Sequence, residues 1–361
     1  MKVLFILISF VLTATSIHAQ GTLHEESVDL ETLYQQLDDA IANSSQYVAE
    51  RENQIKSCRD SMLTELNPEK RLQLADRLYR LYRPYKNEVA IQCAEQYISL
   101  ADSLHRPDLA GRYRSLLAQQ CSRSDMLTES LEQLHLVKRP ALTNKELIDY
   151  YSAWMHVCGE MANLTQRKDM HQRYLDKQNL YRDSVMAVAA EGSEDYFHLK
   201  MDILTAQRHF QDALNLNDQW LKTVKEGTHE RAFAAFYRSQ VFDRLTNHDQ
   251  TCYWLGQSAL DDIRCAVMDQ ASLLFLAEHL ANDGDLDRAE RYMDFSRKCN
   301  NAFSSHTRNY QYSSILNIVQ KGKEAAEHQS HQVLIIVLIV AAVVIFLLIL
   351  ALILIIRKRR S

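Results

Sequence analysis

From Val333 to Ile356 the chain runs through 24 consecutive residues without a charge, a proline or a glycine. As a helix rising about 1.5 Å per residue, such a run reaches roughly 36 Å, enough to cross a hydrocarbon core of about 30 Å with some tilt. No other feature restricts the chain as strongly. A core helix of a water-exposed domain keeps a polar face, and this run has none. The expectation is one C-terminal transmembrane helix, 333–356. Arg357, Lys358, Arg359 and Arg360 follow at once, and the bias of cations toward the inner face predicts a short cytoplasmic tail, 357–361. The other end is consistent with this. Lys2, an apolar run from Val3 to Leu12, and small and polar residues from Thr13 to Gln20 follow the grammar of a secretory signal, 1–19, cleaved after Ala19. An uncleaved N-terminal anchor is the alternative. Together the ends predict a single-pass cell-membrane protein whose body lies outside the cytoplasm, in the periplasm if the cell is Gram-negative.

The body, Gln20 to Gln332, holds all 46 acidic residues of the chain and all but five of its 41 lysines and arginines, giving a charge of about −10. That balance argues against nucleic-acid binding, which needs basic stripes. Eight glycines and four prolines are too few for the turns of a β-sandwich or an α/β enzyme of this length. Seven cysteines are dispersed without a CxxC pair. Most fall within apolar helical patterns and read as small buried hydrophobes, although one or two disulfides stay open.

The expectation is therefore an all-α protein, an α-solenoid of antiparallel helix pairs followed by the membrane helix. Leu30 to Leu66 reads as a long helix or a hairpin, occupying the segment 20–66. Helical repeats fill 67–304, and a juxtamembrane helix fills 305–332. Asn67-Pro68 starts one helix, and Leu72, Ala75, Leu78, Tyr79 and Tyr82 mark its apolar face. From Leu273 to Ser296 the chain reads LLFLAEHLANDGDLDRAERYMDFS, which resembles a tetratricopeptide repeat (TPR). Leu273, Leu276, Ala277 and Leu280 take the large, large, small and large positions of its first helix. Gly284 supplies the turn. Ala289, Met293 and Ser296 take the small, large and small positions of the second helix. Small Ala277 and Ala289 let the helices approach, and Gly284 tolerates the positive φ of the turn. A degenerate copy lies upstream, with Asn247 at the turn, Cys252 at the close approach and Ala259 beyond. Fainter copies centre on Ala213 and Ala90. An irregular helical array is the competing reading.

Catalytic signatures are absent: no phosphate-binding glycine loop, no GxSxG and no HExxH. Fourteen histidines show no ligand spacing, and His328 and His331 read as a polar stop before the bilayer. Asp38-Asp39 and Asp261-Asp262 are expected on exposed helix faces. No catalytic residue, cofactor site or metal site is expected. Aromatic residues cluster at Tyr79, Tyr82, Tyr85, Tyr97, Tyr113, Tyr150, Tyr151 and Trp154, and again at Phe233, Phe236, Tyr237, Phe242, Tyr253 and Trp254. Most should fill the core, and the rest could grip a peptide.

Asp29 to Leu63, the tandem helices from Leu72 to Leu104, and the run from Arg308 into the apolar segment resemble a bacterial family of TPR-type single-pass membrane regulators. That resemblance implies a helical sensor region outside the cytoplasm. It also implies a cytoplasmic output segment, which the five residues after Ile356 do not provide. The function expected is a non-enzymatic, membrane-anchored sensor or interaction module binding a protein or peptide ligand. The alternative is a cell-envelope enzyme or enzyme subunit on a helical scaffold. A homodimer is a further partner to consider, although Ala341, Ala342 and Ala351 offer no GxxxG seam.

Overall fold

The computed structural model describes residues 27–303 and 309–360. The expected signal peptide, 1–19, lies outside the described residues. Among those residues the chain forms fifteen α-helices and no strand. The segment expected as a helix or hairpin is two helices, α1 (Leu30–Ala42) and α2 (Ser44–Thr64), divided at Asn43. They do not pack as a hairpin: α1 lies against α12 and α2 against α3. The others are α3 (Pro68–Tyr82), α4 (Asn87–Ser103), α5 (Pro107–Arg123), α6 (Leu127–His135), α7 (Asn144–Leu164), α8 (Lys168–Val188), α9 (Glu194–Ala206) and α10 (Phe210–Thr223). Then come α11 (His229–Arg244), α12 (His248–Arg264), α13 (Ala271–Asp283), α14 (Leu286–Phe303) and α15 (Asn309–Arg360). From α3 to α14 the main packing is between successive helices, as a solenoid requires. The contacts of α1 and α2 with α12 are long-range exceptions.

Starts and stops follow local chemistry. Asn67 accepts from the backbone of Glu69 and Lys70 ahead of Pro68, and Thr143 and Glu146 form a reciprocal capping box on α7. Gly192 and Gly227 are left-handed in their connections, and six further left-handed residues close helices: His105, Asp125, Arg208, Thr246, Ala266 and Gly284. Each of the six repeats the same pair of backbone bonds. At Gly284 (φ 89°), Asp285 N donates to Leu280 O at 2.9 Å and Gly284 N to Ala281 O at 3.3 Å. At Thr246 (φ 57°), Asn247 N donates to Phe242 O and Thr246 N to Asp243 O, both at 3.0 Å. This is the Schellman closure. The left-handed residue upstream is thus Thr246, while Asn247 caps α12 through Gln250 N. Arg208, Thr246 and Gly284 stand 38 residues apart.

Leu273, Leu276, Ala277 and Ala289 are fully buried, and Leu280 and Met293 nearly so, in a core shared by α1, α12, α13, α14 and α15. Ser296 is buried too, its Oγ donating to Gln270 O at 3.0 Å. A second core spans α2 to α5 and takes in Met268, Cys299 and Phe303. A third lies in α9 to α11 around Trp220 and Phe242. All seven cysteines are free thiols, and only Cys265 is not buried.

Helix α15 packs its first turns on α13 and α14 through Tyr312, Ile315 and Val319. Further along, Leu334 to Ile349 present exposed apolar side chains. The described side chains of this stretch end there, and the backbone helix continues to Arg360. Among the described residues no helix is long and apolar enough to cross a membrane. The side chains of Arg357, Lys358, Arg359 and Arg360 lie outside the described set.

Candidate functional site

A cleft of about 540 Å³ opens between the start of α1 and the faces of α11 and α12. Its floor comes from α12, where Gln250, Tyr253, Trp254 and Gln257 recur at three- and four-residue spacing and so share one face. Its wall is the first turns of α1, with Asp29, Thr32, Leu33 and Gln36. At the joint a Cβ on Gly256 would sit 2.6 Å from Leu33 Cδ2, so the bare glycine gives that side chain its seat and a larger residue would make it shift. Asp29 fixes where α1 begins: its Oδ1 accepts from Thr32 N at 3.0 Å and its Oδ2 from Thr32 Oγ1 at 2.5 Å. The Thr32 hydroxyl and amide hold that exposed carboxyl below its usual range.

Arg238 of α11 enters the cleft over the Trp254 ring, 4.9 Å from its centroid. It donates to Asp218 Oδ1 at 2.6 Å and Asn217 Oδ1 at 3.2 Å. Its buried Nε finds no acceptor among the described residues. Trp254 Nε1 donates to Gln250 Oε1 at 3.1 Å, and Tyr253 meets Trp254 edge to face at 5.4 Å. The result is a cleft with two aromatic faces, amide groups that both donate and accept, one partly screened cation and one carboxylate on the rim. Such a surface suits an extended polar chain with an apolar anchor.

The aromatic residues named above divide between roles. Tyr79, Tyr82, Tyr85, Tyr97, Tyr113, Tyr151 and Phe242 are buried. Tyr150, Trp154, Phe233, Phe236, Tyr237, Tyr253 and Trp254 keep part of their surface open, and of these only Tyr253 and Trp254 line the cleft.

Two sequence expectations change. Asp261 and Asp262 are not on an exposed face; they are 2% and 6% exposed. Asp261 accepts from Arg231 Nη1 at 2.5 Å and Gly227 N at 3.1 Å. Asp262 pairs with His229 Nδ1 at 2.7 Å. Burial pushes both carboxyls up, opposed by Arg231 and His229 respectively. The acidic pair ties α12 to the start of α11, a long-range contact that adjacency in sequence does not reveal. Asp38 and Asp39 of α1 are the partly and fully exposed pair. Second, histidines scattered in sequence come together in space: His248, Cys252 and His279 place one ligand atom each within 4.8 Å of one another. Of the membrane-proximal histidines, His331 is exposed and the side chain of His328 lies outside the described set.

Other ionisable groups form structural pairs or are acids pushed up by burial. Arg112 bridges Asp76 at 2.7 Å and Asp149 at 2.6 Å. Asp195 is pushed up to about 6 by burial and then by Asp149 and Glu194. Asp202 is also pushed up to about 6 by burial, although half its side chain is open. Neither acid lines the cleft.

Residues 41–314 match the family described as the SusR N-terminal TPR domain. No curated protein matches the chain.

Proposed function

The chain belongs to the SusR N-terminal TPR domain family, and we propose that it is a non-enzymatic binding module that takes a protein or peptide segment in the cleft between α1, α11 and α12. The observation that carries this reading is the Tyr253–Trp254 pair under Arg238, facing α1 across a cleft with a single rim carboxylate. Aromatic anchors backed by hydrogen-bonding amides hold a chain, and the hydroxyl–carboxylate contact in the cleft, Thr32 on Asp29, belongs to the cap of α1. TPR-type packing leaves such helix faces free for partners.

The same reading makes α15 the anchor. Its exposed apolar side chains from Leu334 onward, the uncharged sequence through Ile356 and the cations that follow support a single-pass helix with the binding body outside the cytoplasm. A sensor role would then pass through a partner or a second copy of the chain. The competing reading, an envelope enzyme, would use Asp195 or Asp202, whose carboxyls sit near 6.

The test uses the full chain in its membrane, with a photocrosslinking amino acid in place of Tyr253. Crosslinks to a polypeptide, lost in Trp254→Ala and kept in Asp195→Asn, are expected. Substrate turnover abolished by Asp195→Asn or Asp202→Asn would overturn the reading. A reporter fused after Ser361 should be active only as a cytoplasmic reporter.

A further inference from the structure

Three metal-ligating side chains converge across the α12–α13 joint. His248 and Cys252 stand one helical turn apart on α12 and so share a face. His279 comes from α13. A ring nitrogen of each histidine and Cys252 Sγ all lie within 4.8 Å of one another. His248 Nε2 is 3.6 Å from Sγ, and the two imidazoles meet edge to face with centroids 5.3 Å apart. Asp283, one turn beyond His279, places Oδ2 2.7 Å from His248 Nε2. Among the described residues no other group of three such side chains comes together this way.

We propose that His248, Cys252 and His279 bind a divalent transition-metal ion of the zinc type, with Asp283 or a water completing a tetrahedron. The geometry supports this ion class directly. Zinc–sulfur bonds of about 2.3 Å and zinc–nitrogen bonds of about 2.0–2.1 Å set the S···N edge of a tetrahedron at about 3.6 Å. The His248–Cys252 pair already stands at that distance. The His279 ring nitrogen lies within 4.8 Å of the other two ligand atoms, and its imidazole is half-buried, at the surface of the joint. A thiolate with two imidazoles selects against magnesium and calcium, which take oxygen ligands.

Tyr34 of α1 lies in the same buried core as Cys252, and its carbonyl accepts from Tyr292 Oη at 3.2 Å. On binding, Cys252 gives its S–H proton to solvent. The metal–Nε2 bond replaces the His248–Asp283 hydrogen bond, and the thiolate offsets one of the two positive charges. The ion would pin α12, the floor of the cleft, to α13, beside the core that Tyr34 brings from α1.

The alternative is that Cys252 is one more small buried core residue, since it is wholly inaccessible. Cobalt(II) decides between the two. The full chain, purified in detergent without a histidine tag and stripped with chelator, is titrated with Co²⁺. One equivalent should produce intense visible bands of a four-coordinate ion and a near-ultraviolet sulfur-to-cobalt band, both erased by Zn²⁺. Zn²⁺ should also raise the melting temperature, and Mg²⁺ should not. Cys252→Ser should lose the sulfur band, and His279→Gln should weaken Co²⁺ binding about tenfold or more. If Cys252→Ser fails to fold by circular dichroism, His248→Ala, at an exposed position, serves in its place. Absence of the bands, or bands unchanged in Cys252→Ser and His279→Gln, would overturn the proposal and place any bound metal elsewhere, for example at His328 and His331.

Discussion

The α13–α14 hairpin and the three helices α7–α9 are both runs of successive packed helices, but they are held together by different chemistry. Between α13 and α14 the joint is dry. Leu273, Leu274, Leu276 and Ala277 on one side and Ala289 and Tyr292 on the other show no exposed surface. In α8, which runs for 21 residues, Val185 is the one buried side chain. There the joint is a stack of rings, with Trp154 over Tyr181 at 5.3 Å and 11°. It also includes Gln178 lying against Gly159 and acids at Asp149 and Asp195 that sense each other. Apolar burial is non-directional and tolerates drift only if volumes are kept. Stacked rings and ion pairs tolerate drift in sequence spacing but bring titratable groups into the interior.

The largest expected contrast follows directly. Leu276→Ala in α13 should cost about 2–5 kcal/mol in chemical denaturation, because the cavity forms in a fully buried site. Leu180→Ala in α8, where that leucine is 63% exposed, should stay within about 0.5 kcal/mol. Equal losses would mean that the two joints are not different in kind. Overpacking sharpens the point with a smaller effect. Ala277→Leu should cost about 1–3 kcal/mol at the close approach of α13 and α14. Ala187→Leu, on the exposed side of α8, should be near neutral when melting temperatures are compared.

This contrast explains what could be read from the sequence. The α13–α14 unit was legible because dry packing writes itself as large and small residues at fixed spacing. The α7–α9 region was not, since rings and ion pairs leave no periodic trace. The apolar run that forms the far part of α15 was the plainest signal of all. The cleft was half legible: Tyr253 and Trp254 stood out as aromatics. Their opposing wall was hidden because Leu33 meets Gly256 across more than two hundred residues, a contact set by tertiary packing alone. The one-turn spacing of His248 and Cys252 was visible, but His279 joins them only through the register of α13. The Asp261-Asp262 pair misled because adjacent acids usually face water, and here Arg231 and His229 are brought to them from α11.

The turns extend the comparison within the repeats. Gly284 and Thr246 close their helices with the same backbone bonds, yet only one is a residue suited to positive φ. Gly284→Val should cost about 1–2 kcal/mol. Thr246→Gly should stabilise by less, about 0.5–1 kcal/mol, since relief of strain is partly offset by the greater freedom of glycine in the unfolded chain. A shift in the same direction for both substitutions, read as denaturation midpoints, would show that the two turns are not equivalent.

The smallest expected effect concerns pH and belongs to the wet region alone. Asp195 sits at the start of α9, where burial, then Asp149 and Glu194, push its carboxyl up to about 6, with Arg83 opposing. An unfolded aspartate titrates near 3.9. The folded state therefore holds the proton more tightly than the unfolded one. The stability this contributes is complete below about pH 4 and is lost as pH rises through about 6. Asp195→Asn removes the ionisation, so the variant should be more stable than the parent at pH 7.5, with the difference shrinking as pH falls toward 4. Because the side chain is only half-buried, solvent screening keeps the gain small. Leu276→Ala, in the dry hairpin, should show a deficit that does not vary across that window. A pH-independent difference between Asp195→Asn and the parent would mean that the acid is fully solvated and that the α7–α9 joint is not wet in the sense argued.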